Sequence, residues 1–461
     1  MLSESARRRK RLPDLSCPRM TLDDALAFWY GRINYEVKAA GPGDLKLERM
    51  RALFRLLGDP HLHVRSVHIT GTKGKGSTAA MLASVLRQAG YRVGLFTSPH
   101  LVRVNERIQV DGAPISDAEL AARMAEIAAA EAHLTDRPSF FEIGTALGFL
   151  HFAYRRCDVN VVEVGLGGRF DSTNVIEPLV SIITSVGLDH MAQLGQTHEA
   201  IAFQKAGIIK RHVPVVSGVT EAGSAEVIAS IAKDESAPLS ILGRDFDFTY
   251  HPSKSGRPLS TIRVSRNDCA SLPLGLLGRH QAMNASMVAE TVERLREAGL
   301  SIPGKAVTAG LVKTVWPARI ESVFHRPEII VDTAHNGPSI AALVRTLAES
   351  VPVAGKKICL FAVSNDKPFA EMLSLLAPAF DELFLTKYGN NPRCVPPERL
   401  AEAMAKIDPA KRVRVVPTAS DALRAARDEA NDDDLICITG SFFLAGELRP
   451  LLVNETIGRQ T

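Results

Sequence analysis

Val67-His68-Ile69-Thr70-Gly71-Thr72-Lys73-Gly74-Lys75-Gly76-Ser77-Thr78 is the stretch from which the fold can be read. A short, mostly apolar run with strand character enters a turn that holds three glycines and two lysines. Thr78 to Ala89 then reads as a helix closed by Gly90, the expected left-handed cap. Glycines let such a turn curl until successive N–H groups face inward, the helix behind adds its N-terminal dipole, and lysine adds a full charge. The composition therefore predicts a phosphate cradle over Gly71, Thr72, Lys73, Gly74, Lys75, Gly76, Ser77 and Thr78. Its spacing departs from GxxxxGK[ST], because Gly71 and Gly74 stand three apart and Gly76 separates Lys75 from Ser77. A glycine-rich turn that serves packing alone is the plainer alternative.

Working outward, apolar runs recur at Tyr91 to Phe96, Val159 to Val164, Val180 to Val186 and Val213 to Val216, with a helical pattern over Gly144 to Arg155 between two of them. This βαβ rhythm predicts an α/β fold with a doubly wound parallel sheet, in which ligands collect outside the carboxyl ends of the strands. Those ends carry chemistry: Thr97-Ser98-Pro99-His100, Glu163, and Asp189-His190. A carboxylate in an apolar strand is costly to bury unless a charge meets it, and Mg²⁺ beside a triphosphate is such a partner. Singly, Glu163 reads as half of a buried ion pair and His190 as a surface histidine. Their shared sheet edge points instead to joint metal binding.

Residues 241 to 275 are more polar and read as turns between short antiparallel strands, followed by a helix from Gln281 to Ala298. After Trp316-Pro317 the rhythm restarts, with buried strands expected at Glu328 to Val331, Lys357 to Val363, Glu382 to Thr386, Val413 to Val416 and Leu435 to Thr439. The boundary falls near Lys313 to Pro317. The expected organisation is a disordered basic tail over 1–20, a catalytic domain over 21–314 and a smaller α/β, Rossmann-like domain over 315–461.

With 461 residues, 46% of them hydrophobic and 23% charged, the chain matches an ordinary globular protein, not a disordered, fibrous or disulfide-stapled one. The net charge of +4 is local: Arg7, Arg8, Arg9, Lys10 and Arg11 form one run, and without them 50 basic residues face 51 acidic ones. A body so balanced argues against a nucleic-acid partner. Pro13-Asp14 stand where a secretory signal needs an apolar stretch, and no run approaches the roughly 18 apolar residues of a membrane span. Neither a membrane partner nor a secreted location is expected. Six scattered cysteines show no metal-ligand spacing, so reduced thiols in a cytoplasm are expected.

Taken together, His68 to Ser77, Thr97-Ser98-Pro99-His100-Leu101, Asn105-Glu106-Arg107-Ile108, Glu163 to Arg169, Asp171-Ser172-Thr173-Asn174, Leu188-Asp189-His190, Lys205 to Lys210, Gly278-Arg279-His280-Gln281, Trp316 to Arg319, Asp332 to Asn336 and Thr439-Gly440-Ser441 resemble the folylpolyglutamate synthase and dihydrofolate synthase branch of the Mur ligase superfamily. The resemblance implies an ATP-dependent ligase with small-molecule substrates. ATP would phosphorylate a pterin-linked carboxylate, and the amine of L-glutamate would displace phosphate from the acyl phosphate. It further implies that Lys75 and its flanking glycines hold the β- and γ-phosphates. Ser98, Glu163 and His190 would ligate two Mg²⁺ ions, and Lys205 would carry a CO₂-derived carbamate. Asp332 and His335 would meet the ribose, Asn284 and Arg319 the adenine and phosphate, and Asp171 and Ser172 the pterin. The last domain would be the glutamate ligase domain, and a monomer is expected. Lys73 stands where the family usually has Asn, Gln204 where it has Glu, and Ala318 and Thr333 where it has Gly.

Two other readings compete. Peptidoglycan-building Mur ligases share the ATP site but carry a UDP-sugar-binding domain ahead of the phosphate loop, where this chain has 70 residues. A nucleotide-binding regulator without catalysis would not need Glu163, His190 and Lys205.

Overall fold

The computed structural model describes residues 19–35, 44, 46–253, 259–264, 269–389 and 391–458. All but the last two residues of the tail expected over 1–20 lie outside them. The chain divides into two compact units. One takes Met1–Phe248, Thr261–Leu272 and Met283–Lys313; the other takes Thr314–Thr461 and two earlier segments, Thr249–Ser260 and Pro273–Ala282.

The first unit is built on an eight-stranded sheet of β1 (Arg65–Thr70), β2 (Val93–Phe96), β3 (Ile108–Val110), β4 (Ala113–Pro114), β5 (Val159–Glu163), β6 (Val180–Ile183), β7 (Val215–Ser217) and β8 (Leu239–Ile241), in the order β4-β3-β2-β5-β1-β6-β7-β8. From β2 to β8 the ladders are parallel, while β3 and β4 add an antiparallel edge. Central β1 lies between β5 and β6, so its carboxyl end opens where the winding reverses, the usual ligand crevice of such sheets. Helices α1 (Leu22–Tyr30), α2 (Leu47–Leu56), α3 (Lys75–Gln88), α4 (Asp117–Glu131) and α5 (Phe140–Tyr154) follow. Capping boxes Thr21/Asp24, Ser116/Glu119 and Ser139/Glu142 start α1, α4 and α5, satisfying N–H groups that a helix start leaves open. Trp29 of α1 stacks on Phe140 of α5 at 5.2 Å and donates its indole N–H to Phe140 O at 2.8 Å, joining the core around Phe54, Phe96, Phe149 and Phe152.

Helix α3 begins at Lys75, three residues before the start read from sequence. Gly74, at φ +85°, is its cap, so Lys75, Gly76 and Ser77 form the first turn. Strands β2 and β6 are shorter than expected, beginning at Val93 and ending at Ile183.

The polar stretch after β8 holds β9 (Asp247–His251), β10 (Leu259–Arg263) and β11 (Cys269–Pro273) in one three-stranded sheet, with β10 central. The second unit is built on a six-stranded sheet of β12 (Glu321–His325), β13 (Glu328–Val331), β14 (Lys357–Phe361), β15 (Glu382–Leu385), β16 (Arg412–Val415) and β17 (Leu435–Thr439), in the order β12-β13-β17-β14-β15-β16. β12 is antiparallel to β13 and the other ladders are parallel. The expected burial holds for β13, β14, β15 and β17 but not for β16. β16 is an edge strand, with Arg412 and Val415 exposed, because only β15 pairs with it.

Candidate active site

The turn between β1 and α3 is clamped by the chain leaving β6. Thr72 N donates to Ser185 O and Lys73 N to Ser185 Oγ, both at 2.9 Å, while Thr184 Oγ1 donates to Lys73 O at 2.6 Å. Thr72 Oγ1 and Gly187 exchange a further pair of hydrogen bonds. Two glycines are forced by this closeness. A Cβ on Gly71 would lie 1.8 Å from Thr184 Oγ1, and one on Gly74 would lie 2.6 Å from Asn284 Oδ1. The second contact also puts Asn284 beside the turn. Lys75 folds back so that Nζ donates to Gly71 O at 3.0 Å.

Gly71, Thr72, Lys75, Gly165, His190 and Lys205 are among the residues lining one cavity at this sheet edge. Lys205 ends helix α7 (His198–Lys205), which follows α6 (Met191–Leu194), and is only 3% exposed. Burial, helped by the cations of Lys75 and Lys73 and opposed by Asp189, lowers its pKa to about 7. Glu163 closes β5 as a buried carboxylate that accepts a hydrogen bond from Ser98 N at 3.3 Å. His190 sits in the left-handed region at φ +51°, with its exposed ring 3.9 Å from Asp189 Oδ1. Among the described residues no three His, Cys, Asp or Glu side chains gather into a cage. Mg²⁺ is commonly held by one or two carboxylates, with phosphate and water filling its shell. Glu163 and Ser98 are joined at the end of β5, and the buried carboxylate is a ligand type that suits such an ion, while His190 lines the cavity itself.

Not every expected residue faces this cavity. Thr78 N donates to Gly74 O at the start of the helix, and its Oγ1 is buried without a partner among the described residues, so Thr78 is turned into the protein. Asp171 and Ser172, expected beside the pterin, are 4% and 6% exposed. The Asp171 carboxylate accepts from Leu166 N at 2.9 Å and Thr173 N at 3.0 Å, and Ser172 Oγ lies 2.7 Å from Thr145 Oγ1. These side chains hold the turn after β5.

In the second unit, Asp332 is buried and accepts from Ile320 N at 3.0 Å and Ala334 N at 2.7 Å. Burial raises its pKa against the opposing pull of Arg319. His335 Nδ1 is 2.8 Å from Thr333 O. The rings of His335 and Phe442 are 5.7 Å apart, and the Arg319 guanidinium lies 5.1 Å from the same phenyl ring. His335 and Arg319 thus share one aromatic support, while Asp332 fixes backbone.

Sequence reasoning missed Thr70, Thr184 and Ser185, which hold the two glycine-rich turns. Thr70 Oγ1 donates to Gly167 O at 2.6 Å. The available signal was a hydroxyl at the carboxyl end of each of two apolar strands.

Residues 69–292 match the Mur ligase middle domain and residues 318–442 the Mur ligase glutamate ligase domain. The dihydrofolate synthase/folylpolyglutamate synthase of Bacillus subtilis is 35% identical over 437 residues, covering 93% of this chain and 98% of that protein. The Escherichia coli enzyme of the same name is 31% identical over 436 residues, covering 94% and 95%. Among solved structures, Mycobacterium tuberculosis folylpolyglutamate synthase complexed with ADP and AMPPCP superposes with a TM-score of 0.81 at 34% identity, covering 88% of this chain and 95% of that one. Two Mur ligase domains in order and this identity over nearly the whole length establish that the chain belongs to the folylpolyglutamate synthase/dihydrofolate synthase family of ATP-dependent ligases.

Proposed function

We propose that the chain joins L-glutamate to a pterin-linked carboxylate, both on dihydropteroate and on an existing folate tail, through an acyl phosphate. The observation that carries this reading is the convergence of Lys75, Lys205 and two glycine-rich turns on one cavity at the carboxyl edge of the sheet. The names of relatives that combine both activities support the double specificity.

In the first half-reaction a substrate carboxylate oxygen attacks the γ-phosphorus of ATP and ADP leaves. In the second, the glutamate amine attacks the acyl carbon, phosphate leaves and the amine loses a proton. Charge on the transferring phosphoryl group demands cations more than covalent help. Lys75 would leave Gly71 O for the β- and γ-phosphates, joined by the N–H groups of the first turn of α3, with Ser77 beside them. Two Mg²⁺ ions, held by Ser98, Glu163 and His190 together with phosphate oxygens, would neutralise the developing charge. Asn284, Arg319 and His335 are read as nucleotide contacts, with Asp332 holding the backbone between them. Asp171 and Ser172, which hold the turn after β5, are read as the residues beside the pterin.

Lys205 is read as a carbamate. With a pKa of about 7, roughly half of the amine is neutral at pH 7, against well under 1% for an ordinary lysine. The neutral amine is the form that adds CO₂, and the neighbouring Lys75 and Lys73 favour the anion produced.

Residues 21–314 are assigned the ATP and pterin sites and 315–461 the glutamate ligase domain, in a monomer. A cytoplasmic location is supported by free Cys157, Cys359, Cys394 and Cys437, and no described helix is long and apolar enough to cross a membrane. Glutamate incorporation measured side by side with dihydropteroate and tetrahydrofolate tests the reading. Incorporation into both is expected, and incorporation into neither overturns it.

A further inference from the structure

We propose that His68 is a positioning residue for phosphoryl transfer, acting through Thr173 and Asp171 to hold the Gly165–Gly168 turn against the phosphate loop. The proposal rests on the ligase reading above and adds to it a residue that touches neither nucleotide nor substrate.

His68 lies on β1, three residues before Gly71, and is fully buried. Its Nε2 is 2.8 Å from Thr173 Oγ1, and that hydroxyl makes a short hydrogen bond to Asp171 Oδ1. The same carboxylate receives Thr173 N at 3.0 Å and Leu166 N at 2.9 Å. Leu166 belongs to the turn whose Gly165, Leu166 and Gly167 line the cavity with Gly71, Thr72 and Lys75. A continuous line of polar contacts therefore joins the strand that launches the phosphate loop to the turn facing it.

Proton counting gives the line a direction. The Asp171 carboxylate accepts the backbone N–H groups of Leu166 and Thr173, and the Thr173 hydroxyl donates to it as well. The single hydroxyl proton goes to Asp171, and Thr173 Oγ1 must then accept from His68. His68 is thus the neutral tautomer with its proton on Nε2. Its Nδ1 is buried without a hydrogen-bond partner among the described residues. Burial and the nearby Lys210 cation both oppose charging the ring. Carrying an orphaned nitrogen in a central strand is unfavourable. An apolar residue would avoid it if packing were the only requirement, so the ring is retained for its Nε2–H. Thr70 supplies a second, direct tie to Gly167 O, leaving the His68 line to set Leu166.

The test exploits the reach of amide side chains: the Gln amide stands close to where Nε2 stands, and the Asn amide close to where Nδ1 stands. In the full-length enzyme, kcat, the KM for the pterin substrate, ADP affinity and thermal unfolding are measured for His68→Gln, His68→Asn, Thr173→Ser and Thr173→Val. His68→Asn and Thr173→Val are expected to lose about ten- to a hundredfold in kcat, the range seen when a group orienting a site residue is removed. His68→Gln and Thr173→Ser are expected to stay within about threefold of wild type. The KM for the pterin substrate is expected to stay unchanged in all four. Equal kcat for the Gln and Asn variants, or a fall in melting temperature with kcat unchanged throughout, overturns the proposal. If the His68 variants do not fold, the Thr173 pair carries the same decision. ADP affinity of the four variants separates this proposal from the ligase reading. If wild type turned over no glutamate, the ligase reading would fall, while a weaker ADP affinity only in the Asn and Val variants would still support the positioning role.

Discussion

Lys73 Nζ lies 3.4 Å from Asp189 Oδ2, which ties the extra cation of the phosphate loop to the residue preceding His190. Both side chains are partly exposed, at 44% and 31%, so the pair is screened and contributes little stability. Its effect is expected on nucleotide binding, where Lys73 adds charge beside the triphosphate. Lys73→Asn should raise the KM for ATP about two- to fivefold at low ionic strength, equivalent to about 0.4–1 kcal/mol, with kcat little changed. The difference should shrink at high salt. A salt-independent change in KM would mean that Lys73 acts through shape instead of charge.

Lys75→Ala and Glu163→Gln are each expected to lower ligase kcat by about 10²–10³ while leaving the unfolding transition in place, since each removes one group facing transition-state charge. Wild-type turnover in either purified, folded variant would remove that residue from the site.

Lys205 ties pH to both stability and carbamylation. Its folded pKa of about 7 lies below the value near 10.4 of an unfolded lysine, so the unfolded chain binds more protons between those limits. Stability must therefore rise with pH across that window, and the cost of burying the ammonium is fully present below about pH 7. In CO₂-free buffer, Lys205→Met should gain melting temperature over wild type at pH 6 and lose most of that advantage by pH 10. With ¹³C-bicarbonate, wild type should show a carbamate resonance that Lys205→Ala lacks, and a short carboxylic acid with bicarbonate should restore activity to Lys205→Ala. Full activity of Lys205→Ala without any additive would refute the carbamate.

Ala318 adopts φ +54° with its methyl group fully buried. A left-handed alanine is strained by about 1–2 kcal/mol, while a buried methyl contributes about 0.8 kcal/mol. Ala318→Gly should therefore be nearly neutral by chemical denaturation. Ala426→Gly, at a buried position inside helix Ala419–Glu429, should cost about 2 kcal/mol. Equal losses at the two sites would show that Ala318 is not strained.

The glycine-rich turn and the strand rhythm made the sheet legible, because Gly71 and Gly74 answer to local backbone geometry that sequence displays. Glu163 and His190 were legible as residues that close or follow apolar runs, and Lys205 only through the resemblance to the family. The destinations of Thr78 and Asp171 were not, since an earlier start of α3 leaves Thr78 beyond the first turn, where its side chain is buried and its N–H bonds within the helix. Likewise, an Asp after a glycine turn can cap that turn or reach outward. The clamp from Thr184 and Ser185 depends on β6 lying beside β1, a pairing of residues more than a hundred positions apart. The exposure of β16 escaped because Val413 to Val416 is apolar enough to read as interior, and only its place in the sheet order leaves it at the margin.

That margin has a consequence for how the protein behaves at high concentration. β16 leaves one side of its backbone ladder open, and an unpaired strand invites another chain to extend the sheet. Arg412 and Arg414 both reach Glu382 on the neighbouring strand, and Arg414 also meets Glu429, so the strand itself carries charged side chains, which disfavour edge-to-edge pairing. The exposed rim of the second unit is thereby guarded against fibre-like growth by charge on the strand.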